Sequence, residues 1–224
     1  MKMNCLICHQ FIEADLTWST IFNLRQQVPI CRSCSAQLDK IGKPQCEYCG
    51  RDDQVKCLDC DRWKQQSLLT KNRAVYRYNH FLKDLISRFK YRGDYALVEV
   101  FRHDMREVFT TQFKSNSKDT RLVPIPLSEQ RLASRAFNQA EAIAQLLPYP
   151  IAPLLKRTTS EKQAKKNRKQ RLSMDNPFQY IGEACPSPVI IIDDIYTTGA
   201  TIHHAARVLK ENGIKQIASF TLAR

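Results

Sequence analysis

From residue 73 onward, apolar positions alternate between short runs and helical stripes. Ala74 to Tyr78 (AVYRY) predicts a strand. From Phe81 the apolar residues Phe81, Leu82, Leu85, Ile86 and Phe89 recur at helical spacing, and Gly93 ends that helix. A second helix carries Leu97, Val98, Phe101, Met105, Val108 and Phe109. Leu122 to Ile125 is a short predicted strand that meets Pro124 and Pro126. Leu132, Ala133, Ala136, Phe137, Ala140, Ile143, Ala144 and Leu147 then line one face of a long helix. Ile151 to Leu155 is strand-like, and residues 156–180 are polar and basic. Val189 to Ile192 is wholly apolar, as a strand covered on both faces should be. A helix from about Ala200 to Asn212 stops at Gly213, and Ile217 to Leu222 forms a closing strand. Strands that alternate with helices imply βαβ crossovers and a largely parallel sheet, an α/β fold.

The first part of the chain follows another rule. Eight of the nine cysteines lie between residues 5 and 60, together with Pro29, Gly42, Pro44 and Gly50, and few long apolar residues accompany them. Residues 1–62 therefore read as a small module held by something other than hydrophobic burial. The stretch from Asp61 to Asn72 is polar. The chain accordingly divides into a module at 1–62, a linker at 63–72 and a domain at 73–224.

Composition narrows the classes. The 224 residues are 43% hydrophobic, which excludes a disordered chain. The longest aliphatic run, Val189 to Ile192, is too short to span a bilayer, so no membrane span is expected. The start MKMNCLICHQ has no apolar segment of signal-peptide kind, and the expected compartment is the cytoplasm. Thiols there are not expected to form a disulfide framework. With 35 Lys+Arg against 22 Asp+Glu, the formal net charge of +13 favours polyanionic partners: nucleic acid, phosphorylated metabolites or acidic proteins.

Cys5 and Cys8, Cys31 and Cys34, Cys46 and Cys49, and Cys57 and Cys60 are four CxxC pairs. Each pair can turn two thiolates toward one point, two corners of a tetrahedral Zn²⁺ site. Eight ligands make two structural zinc sites, each already full and without an open position for catalysis. Buried or redox thiols and an iron–sulfur cluster are the alternatives; four evenly formed pairs favour zinc. Sequential pairing puts Cys5, Cys8, Cys31 and Cys34 on one ion and Cys46, Cys49, Cys57 and Cys60 on the other, and is preferred to a cross-brace. His9 is then a surface residue, and Cys185 an ordinary, partly buried thiol.

Residues 189–201 read VIIIDDIYTTGAT. An apolar strand ends in Asp193 and Asp194, and Thr197, Thr198, Gly199, Ala200 and Thr201 lead into a helix. A turn of small residues at a helix N-terminus offers backbone N–H donors and the positive end of the helix dipole to one phosphate. The two carboxylates before it can accept hydrogen bonds from a sugar diol. Together they describe a ribose-5-phosphate site. The plainer reading is a strand ended by Asp-Asp and a helix capped by Thr.

This segment resembles the phosphoribosyl-pyrophosphate (PRPP) loop of type I phosphoribosyltransferases. Three further segments, FKYRGDYAL (89–97), LVPIPLSEQRLASRAFNQA (122–140) and LLKRTTSEKQAKKNRKQRLSMDNPF (154–178), appear in the order seen in the ComF family, the competence protein FC group with its GntX-like relatives. The resemblance covers nearly the whole chain. It implies a type I phosphoribosyltransferase-like sheet flanked by helices, with the cysteine module at the N-terminal end. It also implies Asp193 and Asp194 at the ribose hydroxyls, Thr197 to Thr201 around the 5′-phosphate, and Mg²⁺ on the pyrophosphate. Pro126, Leu127 and Ser128 occupy the pyrophosphate loop, with Arg131 and Arg135 on one helix face beyond it. Lys156, Arg157, Lys162, Lys165, Lys166, Arg168, Lys169 and Arg171 fall where such enzymes have a mobile loop, a composition that also suits a nucleic-acid backbone. For both basic groups a solvated charged face is the plain alternative. Phe178 and Tyr180 could stack on bases, though core packing is favoured for both. Where the family has Arg-Gly-Phe-Asn-Gln this chain has Ala136, expected to be a mild change inside a helix.

The functions implied are assistance to single-stranded DNA uptake in natural transformation, beside a helicase-like ATPase and recruited to the membrane-associated uptake machinery, or an active Mg²⁺-dependent phosphoribosyltransferase. A PRPP-responsive nucleic-acid regulator without catalysis is a third, weaker reading.

Overall fold

The computed structural model describes residues 3–12, 30–52, 57–66, 68–91, 93–114, 117–158, 176–183 and 188–224. Its centre is a four-stranded parallel sheet, with strands β3 (Asn72–Tyr76), β4 (Arg121–Pro124), β7 (Val189–Ile195) and β8 (Ile217–Ala223) in the order β3-β8-β7-β4. The mixed α/β architecture expected from the alternating pattern is thus present. β7 is central, pairing in parallel with both β4 and β8. Val189, Ile190, Ile191 and Ile192 are all at most 1% exposed. Burying such a side chain contributes about 1.5–3 kcal/mol relative to leaving it in water.

Period-two alternation distributes the sheet between two cores. Ile190, Ile192, Leu122, Phe220 and Leu222 face the first. Helix α3 (His80–Tyr91), a 3₁₀ segment (Tyr95–Phe101), α4 (Arg102–Gln112) and α6 (Gln139–Ala144) supply its other residues, among them Phe89, Phe101, Phe109 and Ile143. Val189, Ile191, Val123 and Ile217 face the second core, covered by α7 (Ala200–Glu211) and by the cysteines from 46 to 60. Cys5 and Cys34 belong to the first core. The cysteine-rich region therefore supplies residues to both cores of the sheet domain. Among the described residues no helix is long and apolar enough to cross a membrane.

The small elements complete the frame. β1 (Met3–Asn4) and β2 (Phe11–Ile12) pair antiparallel around the first cysteine knuckle. Helix α1 (Arg32–Ser35) carries Cys34 and is N-capped by Cys31, and α2 (Leu58–Lys64) follows Cys57. α2 runs into the polar stretch expected to be a connection. Trp63 there is 7% exposed, and its Nε1–H donates to the carbonyl of Thr198 at 2.8 Å.

The long helix expected over Leu132–Leu147 is two helices. α5 (Glu129–Arg135) ends at Ala136, whose φ of 65° and ψ of −13° are left-handed. α6 starts afresh at Asn138, whose side chain accepts from the N–H of Ala140 at 3.0 Å and donates to the carbonyl of Ile125 at 3.0 Å. An N-cap anchored to the end of β4 outweighs the apolar periodicity. The alanine is thus not inside a helix. It occupies the C-terminal left-handed position that glycine adopts at little cost, so the change from the family's glycine carries strain, not added helicity. α5 buries none of its residues, and Leu132 is 44% exposed.

The basic segment expected as a loop begins and ends in strands. β5 (Leu155–Arg157) and β6 (Phe178–Tyr180) pair antiparallel, with Arg157 opposite Phe178. Lys156 and Arg157 lie in β5; Lys162, Lys165, Lys166, Arg168, Lys169, Arg171 and Cys185 lie outside the described residues. Phe178 is buried in the second core and Tyr180 packs against it, as core packing required.

Candidate functional site

The carboxyl ends of β4 and β7 lie side by side, joined past the strand end by the N–H of Ile125 donating to the carbonyl of Ile192 at 2.9 Å. Ligands of parallel α/β sheets collect at such ends. Asp193 and Asp194 project there from the end of β7, and the N–H of Asp194 donates to Asp193 Oδ1 at 2.9 Å. Burial, then the neighbouring charge of Asp194, pushes the Asp193 carboxyl well above the usual carboxylate range, and the Lys90 charge pulls the other way. Lys90, from the last turn of α3, forms an ion pair with Asp194. Both side chains are largely buried, so this pair is shielded from solvent screening.

Besides Lys90, one basic residue, Arg157 of β5, approaches the acids from another element. Arg157 leans over the ring of Phe178, 5.6 Å from its centroid. Burial and the charge of Arg131 hold its guanidinium below the ordinary value, and Asp193 raises it. Arg131 and Arg157 are thus electrostatic neighbours at the edge of the acid pair. Arg135 points elsewhere, donating to Gln139 Oε1 at 3.0 Å and Tyr91 Oη at 3.3 Å. Lys156 pairs with Glu129 at 3.2 Å. Pro126, Leu127 and Ser128 are partly buried in the loop leaving β4, and Ser128 caps α5 by accepting from the N–H of Arg131 at 3.4 Å.

After β7 the chain turns through Tyr196–Gly199 into α7. Gly199 is required twice. Its φ is +80°, and a Cβ there would lie 2.3 Å from the Tyr196 hydroxyl. Thr197, Thr198 and Thr201 are exposed, while Gly199 is buried against the tyrosine. Among the described residues no acceptor takes the N–H groups of Thr197, Thr198 and Gly199. Three free donors, exposed hydroxyls and the start of a 12-residue helix make a surface able to hold an anion.

The cysteines form two clusters: Cys5, Cys8, Cys31 and Cys34, and Cys46, Cys49, Cys57 and Cys60. The pairing is sequential. In each cluster the sulfurs all lie within 4.8 Å of one another, with S···S distances of 3.7 Å for Cys8–Cys31, 3.7 Å for Cys46–Cys60 and 3.6 Å for Cys49–Cys57. Four thiolates bound to Zn²⁺ at about 2.3 Å sit roughly 3.8 Å apart, so the donor sets fit the ion. The local electrostatics agree. Burial opposes ionisation of Cys5, yet backbone N–H donors led by Cys31 outweigh it and bring the thiol down to about 6. At the second cluster burial pushes Cys49 up to about 11 and Cys60 higher still, while N–H donors bring Cys46 and Cys57 down against burial. Four crowded thiols cannot all ionise unaided, and a divalent cation removes that conflict. His9 is exposed and outside both clusters.

Sequence reading missed three residues here. Lys90 lies in the FKYRGDY segment, but helical periodicity gives no hint that it reaches Asp194. Trp63 was hidden in a polar stretch, although a lone Trp is itself a signal of burial. Arg224 follows β8, and its guanidinium lies 4.6 Å from the Tyr196 ring centroid.

No protein-family model matches the chain. It is 40% identical over 231 residues to Competence protein ComFC of Bacillus subtilis (strain 168), covering 100% of this chain and 95% of that protein. It is 35% identical over 226 residues to Competence protein ComFC of Streptococcus pneumoniae, covering 99% and 100%. Competence protein F of Haemophilus influenzae is 27% identical over 213 residues, covering 87% and 90%. With full-length identity at this level joined to the two cysteine clusters and the acid-and-turn site on a parallel sheet, the chain belongs to the ComF family.

Proposed function

We propose that this protein takes part in the uptake of DNA, handling incoming single strands through its basic surface while a phosphoribosyl ligand of PRPP kind occupies the site at the end of β7. The observation that carries the ligand is the placement of two shielded carboxylates beside a turn with three unclaimed N–H donors. The turn holds the 5′-phosphate and Asp193 and Asp194 meet the ribose hydroxyls. Arg131 and Arg157 face the pyrophosphate, and Mg²⁺, when bound with it, neutralises part of its charge. The role in DNA uptake rests on the names of the relatives, and the net charge of +13 agrees with it. A helicase-like translocase is the partner this reading expects.

Calorimetry with PRPP and Mg²⁺, with and without single-stranded oligonucleotide, tests both ligands and their coupling. Saturable PRPP binding, lost in Asp193→Asn with Asp194→Asn at unchanged zinc content, is the expected result. Absence of binding by the parent protein would sink the ligand assignment. Pyrophosphate release with a panel of bases separates a binder from a working transferase.

A further inference from the structure

Three consecutive carbonyls of the turn are held by two side chains. Arg224 Nη1 donates to the carbonyls of Tyr196 at 3.2 Å and Thr197 at 3.0 Å, and Trp63 Nε1 to that of Thr198 at 2.8 Å. In a planar trans peptide the C=O and the following N–H point in opposite directions. Fixing each of these carbonyls therefore aims the N–H that follows it, of Thr197, Thr198 and Gly199, away from the side chain that holds it, leaving it open to an anion. Gly199 lets the turn close against Tyr196, so the backbone lies directly on its supports.

Both supports adjoin the second cysteine cluster. Trp63 is three residues beyond Cys60 on α2, and its ring stacks on His203 of α7 at 4.4 Å and 4°. Arg224 Nη2 donates to Cys57 Sγ at 3.7 Å. Cys49 is tied to the sheet as well, its carbonyl accepting from Asn72 Nδ2 at 2.9 Å. The first cluster makes a different contact, with Arg88 donating to the Ile7 carbonyl at 2.7 Å on the side of α3.

We infer that the second four-cysteine site and the turn at 196–199 form one unit, in which Trp63 and Arg224 are positioning residues that aim the turn's N–H groups. A metal ion at Cys46, Cys49, Cys57 and Cys60 and a phosphate at the turn then raise each other's affinity, and the first site takes no part. The inference rests on the reading of the turn as a phosphate site. Linkage makes the effect reciprocal: the factor by which the metal tightens phosphate binding equals the factor by which phosphate tightens the metal.

The test uses the full chain loaded with zinc, and ribose 5-phosphate as probe. Trp63→Phe keeps a ring to stack on His203 but removes the indole donor. It is expected to weaken ribose 5-phosphate about fivefold at unchanged zinc content, the worth of one hydrogen bond. Arg224→Met, which removes two carbonyl bonds, should weaken it about tenfold or more. Cys8→Ser, which opens the first site, should leave the affinity within about twofold, and in that variant saturating ribose 5-phosphate should slow release of the remaining zinc to a chelator. In Trp18→Phe, where Trp63 is the single tryptophan, the probe should shift the emission. If the parent does not bind ribose 5-phosphate, the reading of the turn fails and this inference with it. If the parent binds, but Trp63→Phe and Arg224→Met bind as well as it does and zinc release is indifferent to the probe, the coupling is overturned and the turn reading stands. Equal weakening by Cys8→Ser would also overturn it, because the effect would then be global.

Discussion

The two four-cysteine sites share one local design and differ in everything around it. In each, the residue after the first CxxC pair is left-handed, His9 at φ 62° and Gly50 at φ 78°, and its N–H donates to the carbonyl of the pair's first cysteine at 2.9 Å. The first site is open on one side, with Cys8 exposed and Cys31 half-buried while Cys5 and Cys34 are buried. At the second all four cysteines are at most 3% exposed and form part of the second core. The same knuckle thus serves as a clip at one place and as part of the core behind the turn at 196–199 at the other. Identical ligand spacing therefore does not imply equal roles; the neighbours of the sulfurs assign them.

The largest effect that could break this comparison comes from the ligands. Cys60→Ser should release the second zinc and cost more than about 3 kcal/mol of stability, with a buried core opened; Cys8→Ser should cost about half as much. Zinc content and thermal melts measure both, and equal losses would contradict the distinction.

Acid should weaken the second site's surroundings selectively. His203 is 1% exposed beneath Trp63, and burial, then the charges of His204 and Arg207, hold its pKa down to about 4. The unfolded chain takes up this proton near pH 6.5, so the stability that neutral His203 contributes is full above pH 6.5 and lost as pH falls toward 4. The loss amounts to about 3 kcal/mol. His203→Gln should flatten that part of the profile in denaturant titrations between pH 7 and 4. A parent and variant with parallel profiles would refute the assignment.

The knuckle glycine gives a smaller and sharper contrast. Gly50→Ala should destabilise by about 2 kcal/mol, since its Cβ would meet the Asn72 carbonyl oxygen at 2.9 Å in a left-handed backbone. His9→Gly should instead stabilise by up to about 1 kcal/mol by relieving the same conformation at an exposed position. Away from the metals, Ala136→Gly should gain about 0.5–1 kcal/mol in chemical denaturation, where a helix-interior position would lose that amount.

Much of this molecule was legible in its sequence. The run Val189–Ile192, the acids after it and the small residues beyond set a central strand, a turn and a helix, because burial on both faces and helix entry are local demands. The CxxC spacings set ligand pairs for the same reason. The break at Ala136 escaped because apolar periodicity continues through it, while Asn138 takes its partner from the end of β4. The pairing of β5 with β6 escaped because each strand is only three residues long, with one apolar residue in the first and two in the second.

Chain order and side-chain chemistry by themselves determined the α/β alternation, the two ligand quartets and the acid-and-turn motif. Tertiary structure alone decided which quartet stands behind the turn, that Lys90 neutralises Asp194, and that Trp63 and Arg224 hold three carbonyls in a row. Those contacts join residues far apart in the chain, 135 positions for Trp63 and Thr198 and 167 for Cys57 and Arg224. No local pattern encodes such a contact; it exists because β7 and β8 run parallel at the centre of the sheet and bring their carboxyl ends to the same edge as the second cysteine cluster.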